Sequence, residues 1–109
     1  MDEGKTIHQA NLNIALWIRE NRIIENDEVD PGDDKIIIGL LDYYDLVADS
    51  AVRGIVDREM IVQHLGGRMR SAYHLLEMYI EGRRKKLQRP NLYKPFEEFV
   101  ANVIKDRSI

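Results

Sequence analysis

The chain has 109 residues, 44% of them hydrophobic and 32% charged, with a net charge of −3 and no cysteine. That length suits one domain with a single core, and the composition excludes disorder as a description of the whole. Without thiols, disulfides, thiolate catalysis and Cys-ligated zinc are excluded, and a cytoplasmic setting is favoured.

No run reaches the roughly 18 apolar residues that a membrane span needs. Asn11, Asn13 and Arg19 interrupt positions 1–20, so no signal peptide is expected there. The charge is unevenly spread: residues 1–50 hold 12 acids and 4 bases, residues 51–109 hold 7 acids and 12 bases. Two readings follow. The halves attract as they pack, or one of two oppositely charged faces meets a partner.

Apolar spacing predicts an all-α domain, a small bundle of four to five helices, with no sustained strand alternation. The first helix is expected over about 6–26, with Ile7, Ala10, Ile14, Trp17 and Ile18 on one face and Thr6 as N-cap. Trp17 reads first as core and second as an anchor for another chain. Self-association through this helix, giving a homo-oligomeric scaffold, is a further reading.

An acidic loop is expected at about 27–34, with Pro31-Gly32 as its turn. Glu25, Asp27, Glu28, Asp30, Asp33 and Asp34 place six acids within ten residues with no base among them. A turn does not require that charge, so this segment is a candidate partner-binding surface that steers a basic protein.

Asp33 or Asp34 is expected to cap a helix from Lys35 to about Val52, whose stripe is Ile37, Leu40, Leu41, Tyr44, Val47, Ala48 and Ala51. Gly54 suits the left-handed position after a helix. Asp57 then reads as an N-cap, with Glu59 in the first turn. Gly66-Gly67 costs a helix interior about 2 kcal/mol relative to alanine. A kink or a short separate helix is expected there, with the long helix resuming at about Arg68. Met69, Ala72, Tyr73, Leu76, Tyr79 and Ile80 form its stripe, and Arg89-Pro90 ends it. A last helix spans roughly Lys94 to Asp106, with Pro95 in its first turn and Phe96, Phe99, Val100, Val103 and Ile104 buried.

Catalytic constellations are scarce. On one continuous helix His64 and His74 would sit about 80° apart, and His8 lies far off in sequence, so no histidine metal site is expected. Ser50, Ser71 and Ser108 occupy no nucleophile elbow, and no phosphate-binding glycine loop occurs. Asp33-Asp34 and Glu97-Glu98 read as helix starts and solvated faces rather than an acid/base pair. The expectation is a non-enzymatic protein with no catalytic residue, metal or cofactor.

Arg83, Arg84, Lys85, Lys86 and Arg89 form the densest charge cluster. They complement the end of a helix dipole; the alternatives are contact with nucleic-acid phosphates or with a protein or anionic membrane surface. Arg83 continues the Leu76–Ile80 stripe, so its stem should lie on the core and its guanidinium should find an acid. Asp45, at the edge of the preceding stripe, is the expected partner of Arg83 or Arg84.

The string Leu40-Leu41-Asp42-Tyr43-Tyr44-Asp45-Leu46-Val47-Ala48, then Gly54-Ile55-Val56-Asp57, then Arg83 or Arg84, then Leu92-Tyr93 with Phe96-Glu97, resembles a bacterial and phage domain-of-unknown-function family. The likeness covers about 36–104. Asp42 stands where the family usually has Asn, and Asp45 where it has Glu. Many relatives begin with a hydrophobic membrane anchor; this chain has an amphipathic segment there. The resemblance implies no catalytic residues. It suggests a cytoplasmic accessory factor of phage or mobile-element origin, an inhibitor of a host system that works by binding a protein. A nucleic-acid-associated regulator using residues 83–89 is the alternative.

Overall fold

A computed structural model describes residues 31–104 together with Leu12 and Leu16. Both leucines are helical and about half exposed. The remainder of the expected 6–26 helix, including Trp17 and His8, lies outside the described residues, as do Glu25, Asp27, Glu28 and Asp30. The described part is all-α, with three helices and no strand among the described residues.

Helix α1 spans Pro31–Val52. It starts on a proline, whose fixed φ and missing N–H suit a first turn. This corrects the expected loop boundary. Asp33 and Asp34 sit inside the first turn rather than before it, where carboxylates suit the positive end of the helix dipole. Ile37, Leu40, Leu41, Tyr44, Ala48 and Ala51 are buried as the spacing predicts, and Val47 is half-buried.

The helix closes through paired backbone bonds. The Gly54 N–H donates to the Ala51 carbonyl at 3.2 Å and the Ile55 N–H to Ser50 at 2.9 Å. This is a Schellman closure around Gly54 at φ 75°. Asp57 then starts α2, Arg58–Leu87, its carboxylate accepting from the Glu59 and Met60 amides.

Helix α2 runs unbroken through Gly66-Gly67 for 30 residues, so the expected kink or separate helix does not occur. Tertiary packing overrides the glycine penalty: Gly66 is buried, with Met69, Ala72, Leu76, Tyr79 and Ile80 following it on the same face. A Cβ at Gly66 would lie 3.7 Å from Ile104 Cγ2, so the last segment of the chain packs over this position. The helix ends at Leu87, two residues before Arg89, because Gln88 enters the left-handed region at φ 54° and closes a second Schellman pair.

Helix α3, Lys94–Phe99, leads directly into a π-helical turn, Val100–Ile104. Helix α3 lies on α1, while the π turn lies on α2. Phe96, Phe99, Val100 and Ile104 join Tyr44, Tyr79, Leu76 and Met69 in one core. The single α-helix expected over 94–106 is therefore a short α-helix with a wider turn after it, and residues beyond 104 lie outside the described part.

Candidate functional site

Three acids of α1 meet the far end of the chain. Asp34, Asp42 and Asp45 fall within roughly 80° of one another around the helix, at 100° per residue, flanking the buried stripe. The Tyr79 hydroxyl donates to the Asp34 carboxylate. The Tyr93 hydroxyl donates to Asp42 at 2.9 Å. Asp45 Oδ1 accepts the Phe96 backbone amide at 3.0 Å. Each tie joins α1 to an element more than forty residues away in sequence.

The electrostatics follow from burial. Both phenols, Tyr79 and Tyr93, are pushed up, first by burial and then by the carboxylate each one meets. Asp45 is raised as well. Burial is the largest cause, the Phe96 amide partly offsets it, and the like charges of Asp49 and Asp42 add to it.

A second knot centres on Arg84, which is 8% exposed. Its Nε donates to the Leu92 carbonyl at 2.8 Å, its Nη1 meets Glu81 at 2.6 Å, and its Nη2 lies 2.9 Å from Glu97. Lys94 reaches the other oxygen of Glu97 at 3.1 Å. Burial alone would raise Glu97, but the Lys94 hydrogen bond and the Arg84 ion pair outweigh it and hold the carboxyl below the usual range. Burial alone would likewise lower Arg84, and its two glutamates reverse that.

Asp45 pairs with neither of its expected partners, Arg83 and Arg84. Asp45 serves a backbone amide, and the guanidinium laid against the core belongs to Arg84, four residues after Ile80, not to Arg83, three after it. Four residues rotate 40° past a full turn and three fall 60° short, so the neighbouring arginine follows the stripe more closely. Arg83 is half-buried with an unpaired Nε, and its charge acts on the Tyr79 and Tyr93 phenols. Lys85, Lys86 and Arg89 are exposed. Sequence reasoning missed the two Tyr–Asp ties. The signal was available, because a tyrosine on a buried stripe needs an acceptor for its hydroxyl.

Among the described residues no three His, Asp or Glu side chains cluster as metal ligands. His64 and His74 are exposed. No described helix is long and apolar enough to cross a membrane.

Two surface features remain. At the α1–α2 turn, Val52, Ile55, Val56 and Met60 are exposed, Ile55 by 72%. Between α2 and the π turn lies a cleft of about 570 Å³, lined by Arg70, Tyr73, His74, Glu97, Val100 and Ala101.

No curated protein and no solved structure matches the chain. The order of these elements, with Gly54 and Asp57 shaping the turn and Glu97 binding Arg84, accounts for most of the pattern singled out in the sequence. Residues 3–103 match the family described as a domain of unknown function, DUF4760, and the chain belongs to it.

Proposed function

We propose that this protein is a non-enzymatic helical binding module whose partner is another protein. The observation that carries the reading is the α1–α2 turn. Folding accounts for Gly54, which takes the left-handed closure, and for Asp57, which caps α2. It does not account for Ile55 and Val56, which project to solvent beside Val52 and Met60. Grouped apolar side chains left in water mark a contact surface more often than they mark packing. The titratable groups support the same reading from the other side. Asp34, Asp42, Asp45, Arg84 and Glu97 are all engaged in contacts that hold the helices together.

The acidic segment from Glu25 to Asp34 would steer a basic partner toward this module. An accessory factor of phage or mobile-element origin that inhibits a host protein fits this behaviour. The nucleic-acid alternative rests on Lys85, Lys86 and Arg89, because Arg84 is committed to Glu81 and Glu97.

The test is affinity purification of the tagged chain beside an Ile55→Asp/Val56→Asp variant that keeps its helical circular dichroism. A protein held by the parent and lost by the variant supports the reading. Equal recovery removes the turn as the contact. A salt-dependent mobility shift abolished by Lys85→Gln/Lys86→Gln/Arg89→Gln would put nucleic acid in its place.

A further inference from the structure

The α2–π cleft has a different character from the apolar turn. Its walls are the Tyr73 ring, Val100 and Ala101, and its volume of about 570 Å³ falls within the 300–1,000 Å³ or so typical of small-molecule sites. Tyr73 is held in place from behind by an edge-on contact with the buried Phe96, ring centroids 5.6 Å apart, so that wall is preformed. The opposite wall is the π turn, Val100–Ile104. Such turns are rare and are often found at functional sites. Here no proline or glycine lies within the turn to explain it locally.

The polar groups at the cleft divide by availability. Glu97 is taken up by Arg84 and Lys94, so its charge is neutralised within the protein. Arg70 is half-buried at the same cleft and makes no ion pair with any described residue, and His74 stands beside it, exposed. An apolar slot with one committed acid and one uncommitted guanidinium complements a ligand with an apolar body and a single negative end.

We propose that this cleft binds a small monocarboxylate, an aromatic or medium-chain aliphatic acid. The carboxylate pairs with Arg70 next to His74, and the apolar body rests on Tyr73, Val100 and Ala101. A planar guanidinium is the side chain best matched to a carboxylate. The site is separate from the α1–α2 turn, so it stands or falls independently of the protein-binding reading.

The test is a titration of the full chain with 1-naphthoate and with octanoate, followed by amide chemical shifts, with octan-1-ol and octylamine as controls. Saturable shifts centred on residues 70–74 and 97–101 are expected. The carboxylates should bind at least about tenfold more tightly than the alcohol or the amine, as one charge-assisted contact provides. Arg70→Gln should remove that preference while leaving the thermal melt unchanged, and Ala101→Phe, at an exposed position, should block both acids by filling the slot. Failure to saturate by about 10 mM, a Kd too weak for a site, would overturn the proposal. So would equal binding of octan-1-ol and octanoate, or an Arg70→Gln variant that still prefers the acids.

Discussion

Asp45 Oδ1 accepts the Phe96 amide at 3.0 Å across 51 residues of chain, and so acts as the N-cap of a helix to which it does not belong. The residue in the cap position of α3, Tyr93, makes no side-chain bond to the first-turn amides of that helix. Lys94 N–H finds the Asn91 carbonyl at 3.1 Å, and Pro95 has no N–H to satisfy. The Phe96 amide is therefore the first-turn donor that needs an outside acceptor, and α1 supplies it.

Removing that acceptor should cost what a lost cap costs. Asp45→Ala is expected to destabilise by about 1–2 kcal/mol, less than the roughly 3–5 kcal/mol for stranding a buried charge. Asp45→Asn keeps an acceptor oxygen and should cost under about 1 kcal/mol. Urea denaturation of the two variants checks this. An Asn variant as damaged as the Ala variant would show that the charge, not the hydrogen bond, matters.

Arg84 and Arg83 should separate cleanly. Arg84→Ala leaves Glu97 facing a half-vacated site and frees the Leu92 carbonyl, so a loss of about 3 kcal/mol is expected. Arg83 has no ion pair among the described residues, and Arg83→Ala should cost under about 1 kcal/mol. The pH response of Glu97 follows from its lowered pKa. Its contribution is fully present above the ordinary glutamate value of 4.5 and is lost as pH falls through its native value. Glu97→Gln should flatten that acid limb. Thermal melts across the acid range measure both effects.

These two arginines also mark how far the sequence could be read. The helical stripes of α1 and α2 were legible because apolar spacing reports a buried face directly; Gly54 and Asp57 were legible because closure and capping need those residue types. Gly66-Gly67 misled, since propensity weighs a residue alone while Ile104 packs over Gly66 from 38 residues away. The pairing of Asp45 failed for a related reason. An acid on a helix edge announces that it needs a donor but not which one, and a backbone amide carries no signature in side-chain pattern. The π turn at Val100–Ile104 had no local signal at all.

The tyrosines set the alkaline limit of the fold. Burial pushes Tyr44 up to about 12 and Tyr73 up to about 12 from an ordinary 10.0, and raises Tyr79 and Tyr93 as well, with Asp34 and Asp42 adding to it. Between the ordinary value and the raised ones, the unfolded chain has released protons that the native chain still holds. Stability must then fall as pH rises, being fully present below about 10 and lost through about 12. Phenolate absorbance should lag in the native protein behind that of the urea-unfolded chain and then rise together with loss of helix. Ionisation of Tyr44, Tyr73, Tyr79 and Tyr93 near the ordinary value with the helices intact would contradict this burial.

Glycine within α2 is a cost with no geometric requirement at Gly67, where an added Cβ meets nothing within 4 Å. Gly67→Ala should stabilise by about 1 kcal/mol, some 4–8 °C in Tm for a chain of about this size. Gly66→Ala should also be tolerated, because its nearest contacts, 3.6 Å to Val62 and 3.7 Å to Ile104, are ordinary van der Waals separations. A loss of stability in Gly67→Ala would mean that the unbroken helix is wrong.

Gln88 and Tyr93 share one backbone conformation and should respond to glycine with opposite signs. Both are left-handed, at φ 54° and 60°, a region that costs a side-chain-bearing residue about 1–2 kcal/mol. Gln88 is exposed and its role in closing α2 is carried by its backbone N–H, which bonds the Lys85 carbonyl at 3.2 Å. Gln88→Gly therefore relieves strain, offset in part by the greater freedom of glycine in the unfolded chain, for a net gain of about 0.5 kcal/mol. Tyr93 is 5% exposed and its hydroxyl ties α3 to Asp42 at 2.9 Å. Tyr93→Gly relieves the same strain but deletes a buried aromatic ring and its hydrogen bond to Asp42, so a net loss of at least about 3 kcal/mol is expected. Tyr93→Phe isolates the hydroxyl and should cost about 1–2 kcal/mol. Should Tyr93→Gly prove neutral in urea denaturation, the ring does not hold the α1–α3 junction, and the left-handed turn is set by the backbone alone.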